Sequence, residues 1–132
     1  MPDIPQRIGP VLVYDNAEAA IAFLTKAFGF EEHAVHRSPD GAVAHAELSY
    51  RGSYVGLSDR IPGANSVFDL GPCAIYVTVD DPDAHHAQAV AAGAEVVYPL
   101  TDQDYGSRDY AVRDPEGFVW SFGTYAIGSS IN

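Results

Sequence analysis

The chain repeats itself. Ile8-Gly-Pro-Val-Leu-Val-Tyr-Asp15 and Ala74-Ile-Tyr-Val-Thr-Val-Asp-Asp81 both read as a strand ending in acid. The two stretches lie 66 residues apart, with Asp15 falling on Asp81 and Ile8 on Ala74. Self-similarity at a fixed period means that each half is one supersecondary unit, whose apolar face has to be covered.

Each strand leads into a helix. From Asn16 to Phe28 the apolar positions Ala20, Phe23, Leu24, Ala27 and Phe28 follow helical spacing, Asp15 with Glu18 forms a capping-box pattern, and Gly29 supplies the stop. In the second half Asp81-Pro82 is an N-cap followed by a first-turn proline. The helix it opens runs toward Gly93 and is predicted to bury Ala84, Ala87, Val90 and Ala91. Three extended segments follow each helix, at 31–37, 42–50 and 53–59, then at 94–100, 107–113 and 117–125, separated by Gly- and Pro-containing turns. Each half therefore reads β-α-β-β-β. Module one spans about 7–59, the Pro- and Gly-bearing stretch 60–72 is the linker, and module two spans about 73–125. A module of this size buries too little surface to be comfortable alone, so the expectation is a single α+β domain over 1–132.

Charge and cysteine usage exclude several function classes. Seven Lys and Arg against 18 Asp and Glu give a net charge of −11, and the basic residues are dispersed rather than striped, so neither nucleic acid nor an anionic membrane surface is expected as a partner. No apolar run approaches a membrane span. The lone Cys73 and a beginning without a basic, then apolar, leader predict a cytoplasmic protein.

Two tandem βαβββ modules resemble the vicinal oxygen chelate superfamily of glyoxalases, bleomycin-resistance proteins and extradiol dioxygenases. The resemblance rests on Tyr14-Asp15 through Phe23 to Phe28-Gly29-Phe30, and on Arg113-Asp-Pro-Glu-Gly-Phe-Val-Trp-Ser-Phe122 with its Asp-Pro-x-Gly turn. It implies a cupped mixed sheet, a homodimer, and, in metal-dependent members, a ligand at the start of the first strand and on the last strand of each module. Those positions fall here on Ile8, Gly56, Ala74 and Ser121. None is a usual ligand, since a divalent ion needs imidazole, carboxylate or thiolate donors. The expectation is a protein without the metal and with no cofactor. His45 and Glu47, two apart on one strand face, are too few to hold an ion. His85-His86 read as a solvated helix face. His33 and His36, three apart on a strand, point to opposite faces and receive no role.

The concave cavity remains. Alternation puts Tyr76 and Thr78 on the face of Ala74, and Ser121 with Val119 and Gly123, leaving Trp120 and Phe122 for the core. The polar loop 101–108 contributes Asp104, Tyr105 and Arg108 as ligand-binding candidates. One reading is a metal-free binder of a small organic molecule, antibiotic sequestration included. The other is a metal-independent lyase or isomerase with His45 as general base and Arg108 or Tyr105 stabilising an oxyanion.

Overall fold

The computed structural model describes residue 6 and residues 8–61, 73–104 and 106–127. Its elements are β1 (Val11–Tyr14), α1 (Ala17–Phe28), β2 (Glu31–Arg37), β3 (Val43–Tyr50), β4 (Ser53–Asp59), β5 (Ala74–Thr78), α2 (Pro82–Ala91), β6 (Glu95–Asp102), β7 (Arg108–Arg113) and β8 (Val119–Gly123). The chain divides into two units, Met1–Gly71 and Pro72–Asn132. Among the described residues each unit carries one helix and one four-stranded mixed sheet, ordered β1-β4-β3-β2 in the first and β5-β8-β7-β6 in the second. This is the α+β fold of tandem βαβββ modules that the repeat predicts. No helix among the described residues is long and apolar enough to cross a membrane.

In unit 1 the helix forms because an apolar stripe and both caps agree. Ala17, Ala20, Ile21, Leu24, Ala27 and Phe28 are buried, and Gly29 takes the left-handed conformation that ends the helix. The N-cap is Asn16, whose side chain accepts from the Ala19 amide, and not Asp15. Asp15 lies one residue too early to reach that amide and pairs with Arg60 instead. Asp59 adds a second anchor, its two carboxylate oxygens accepting from the amides of Ala17 and Val43 at 2.7 Å each. Helix α1 packs across all four strands, on the face that presents Leu12, Tyr14, Ala46, Leu48 and Leu57.

Unit 2 is built alike, with a differently composed helix. Asp81 caps it through the Ala84 amide, with Pro82 in the first turn. The buried side of α2, however, is Pro82 and Ala89, with His85 and His86 half-buried between them, while Ala84, Ala87, Val90 and Ala91 face outward. The expected alanine stripe is thus rotated away from the sheet. Ala is nearly neutral between core and solvent, whereas the imidazoles find partners inside. His85 Nδ1 hydrogen-bonds the buried Tyr110 hydroxyl at 2.6 Å and its ring lies 4.3 Å from that of Phe122, and His86 meets Tyr110 edge-on. Trp120 and Phe122 are buried, as alternation predicts. Asp114 fixes the Asp-Pro-x-Gly turn: one oxygen accepts from the Glu116 and Phe118 amides, and the other accepts from the Trp120 indole at 3.0 Å.

Strand register corrects the repeat by one residue. The N-caps Asn16 and Asp81, and the paired rungs Val11 with Gly56 and Tyr76 with Ser121, correspond at an offset of 65. The counterpart of Ala74 is therefore Gly9, not Ile8, which precedes β1 and is 91% exposed. Matching acid to acid at Asp15 and Asp81 introduced the slip.

Candidate functional site

Strands β3 and β4 present opposite sets of side chains to the two faces of the unit 1 sheet. Ala46, Leu48 and Leu57 go to the helix, so Glu47 and its register partner Gly56 lie on the other side, with His45 two residues before Glu47. His45 Nε2 donates to Glu47 Oε2 at 2.9 Å. This bond, more than the nearby imidazoles, holds the Glu47 carboxyl below its ordinary range.

Edge strand β2 brings two more imidazoles to the same face. Its register with β3 breaks between Glu32 and Ala34 and again between His36 and Arg37. His33 is the extra residue at the first break, and a bulge turns its side chain without regard to simple alternation. Its ring meets that of Tyr54 at 5.0 Å, nearly perpendicular. His36 is paired with His45, their ring planes 14° apart at 6.3 Å. The two histidines that alternation sent to opposite faces therefore share one.

On this face lies an open cavity of about 460 Å³ lined by Gln6, Gly9, Pro10, Val11, His33, His45, Glu47, Tyr54, Val55 and Gly56. Its floor is low because two of its positions are glycine. An added methyl at Gly56 would meet His45 and Val11 at ordinary contact distance, 3.7 Å each, whereas one at Gly9 would stand 2.6 Å from the Gln6 amide nitrogen. Gln6 is fixed there, its Nε2 donating to the carbonyls of Ile8 and Tyr54.

The unit 2 candidates divide between two faces. Tyr76 and Thr78 share the face away from the helix, both hydroxyls donating to the Tyr125 carbonyl, at 2.7 and 2.8 Å, and Ser121 is the register partner of Tyr76. Arg108 is on the opposite face. It precedes Asp109, which sits beside Gly123 and Tyr76, and its guanidinium binds Asp83 of α2 at 3.0 Å and Asp102 of β6 at 3.2 Å. The pairing holds Asp83 below the usual carboxylate range and raises Arg108 further. With two carboxylates on one cation the local charge is negative. Arg108 thus ties helix to sheet and is unsuited to the oxyanion role. Asp104 is exposed in the turn after β6. Tyr105 lies outside the described residues.

Sequence reading missed His33, Tyr54, Gln6 and Gly9. Tyr54 was within reach, since it lies two residues before Gly56 on one strand; no local pattern announces the bulge that turns His33.

A family model described as the Glyoxalase/Bleomycin resistance protein/Dioxygenase superfamily matches residues 7–122. The chain belongs to this superfamily. It is 41% identical over 128 residues to an uncharacterized protein of Mycobacterium bovis, the match spanning 92% of this chain and 84% of the relative. An uncharacterized Mycobacterium tuberculosis protein is also 41% identical, over 92% of this chain and 75% of its own length. Among solved structures, TioX from a Micromonospora species is similar at TM-score 0.79 and 29% identity, covering 92% of this chain and 99% of TioX. A lactoylglutathione lyase from Agrobacterium tumefaciens shares the fold at TM-score 0.68 and 22% identity, covering 89% and 92%.

At the four positions where the resemblance would place metal ligands, the corrected register puts Gly9, Gly56, Ala74 and Ser121, which offer one hydroxyl between them. A side chain at Gly9 would displace the Gln6 amide from the place it now occupies. Among the described residues, no three His, Cys, Asp or Glu side chains are arranged to hold an ion.

Two strand glycines, Gly56 of β4 and Gly123 of β8, differ in their tolerance of a methyl group. Gly56→Ala should leave stability within about 0.5 kcal/mol of wild type. Gly123→Ala places a methyl 2.6 Å from the Asp109 Cβ and 2.8 Å from the Tyr76 hydroxyl, and should cost about 1–3 kcal/mol. Urea unfolding of both variants checks the contrast; equal losses would contradict the described packing.

Proposed function

We propose that the protein binds a small organic molecule on the open face of the unit 1 sheet, without a resident metal ion. The observation that carries this reading is the make-up of the cavity: a glycine floor beneath Tyr54, His33 and His45, with one carboxylate and with no metal donors at the superfamily's ligand positions. Flat rings in such walls favour a flat or aromatic guest, each ring pair contributing about 0.5–1.5 kcal/mol beyond area burial. A volume of about 460 Å³ suits a drug-sized molecule. Sequestration of an antibiotic is one use to which such a site is suited.

A panel of aromatic organic compounds, followed by thermal unfolding, tests the proposal. A guest at a hundred times its dissociation constant adds about 2.7 kcal/mol and raises the midpoint by several degrees. Tyr54→Ala should abolish the increase while leaving the ligand-free midpoint nearly unchanged. A stabilising compound that acts equally on wild type and Tyr54→Ala would place binding elsewhere.

A second reading, a metal-independent lyase or isomerase, draws on the Glu47–His45 hydrogen bond, which orients an imidazole beside the cavity as a general base requires. It has lost Arg108 as oxyanion partner, and the binding reading is the better supported.

A further inference from the structure

Among the described residues that line the cavity Glu47 is the only carboxylate, and the hydrogen bond from His45 leaves the other lone pairs of that carboxylate to a guest. The faces of Tyr54 and the imidazoles present electron-rich surface, which attracts a cation within about 6 Å. The net charge of −11 adds a field that draws cations toward the chain. Around Glu47 stand the rings of His33 and His36 on β2, His45 on β3 and Tyr54 on β4, while Glu31, the register partner of Ser49, lies on the same face further along β2.

We infer that this cavity selects organic cations with an aromatic or methylated ammonium head, Glu47 serving as counter-charge and Tyr54 as π-face. The inference rests on the binding reading above and names the class of guest. The hydrogen bond from His45 holds the Glu47 carboxyl below its ordinary range, so the counter-charge is in place at neutral pH. A neutral guest of the same shape gains nothing from that charge.

The test uses calorimetric titration of the full chain with two probes of matched shape and no titratable group, 3-(hydroxymethyl)phenyl-trimethylammonium and its uncharged isostere 3-tert-butylbenzyl alcohol. At about pH 8 the cation should bind about tenfold more tightly than the alcohol. Glu47→Gln should remove that preference, its unchanged thermal midpoint showing that it folds. Equal or tighter binding of the alcohol would overturn the cation inference and leave the binding reading standing. A cation preference that survives Glu47→Gln also overturns it. Binding of neither probe at millimolar concentration would sink both.

Discussion

Asp114→Ala should lower the stability of the protein by about 3 kcal/mol and its thermal midpoint by about 10 °C. The side chain is 3% exposed and accepts three hydrogen bonds, from the Glu116 and Phe118 amides and from the Trp120 indole. Truncation removes the acceptor of the buried indole N–H, which costs about 1–3 kcal/mol, and of two part-buried amides that add to it. Asn should rescue only part of the loss, because its carbonyl can still serve the two amides while its NH₂ would confront the indole N–H, donor against donor. Trp120 is the chain's single tryptophan, so its emission isolates the local event: a red shift in Asp114→Ala under native conditions marks water reaching the ring. A loss under about 1 kcal/mol with unshifted emission would mean that Asp114 is not the tie described.

Asp59→Ala should cost about 2–3 kcal/mol, the second largest effect. One carboxylate joins the first turn of α1, through the Ala17 amide, to the start of β3, through the Val43 amide. Losing a helix-start acceptor costs about 1 kcal/mol, and releasing the second amide adds a comparable amount. Hydrogen exchange separates this from a general weakening. The Ala17 and Val43 amides should lose protection well before the core amides of β4, and uniform loss across the unit would refute the local tie.

These two carboxylates show what was legible in the sequence and what was not. The repeat, the sequence of elements within each half, the helix starts near residues 16 and 82 and the buried Trp120 all follow from periodicity and turn chemistry, which are local. Asp114 is conspicuous in its turn motif, yet nothing local links it to an indole six residues on. Asp59 ends a strand in sequence and caps a helix 42 residues earlier in space. The candidate site was legible in one residue, His45, with Glu47 beside it. Its other walls depend on a bulge that overrides alternation and on Gln6, which reaches across to another strand. Arg108 misled in the opposite way, because a cation next to a polar loop looks available until the carboxylate of α2 is placed against it.

Gln6 closes a rung that main chain leaves open. Its amide meets Tyr54 with both functions, oxygen accepting from the peptide N–H and nitrogen donating to the carbonyl, just upstream of the point where β1 begins to pair with β4. A bare stretch of strand at that place is a template onto which a foreign chain can add, the usual first step of edge-to-edge aggregation. The plug occupies the space that Gly9 leaves by having no side chain. Gly9 thus makes room for the side chain that guards the strand bearing Tyr54 against intrusion by neighbouring molecules.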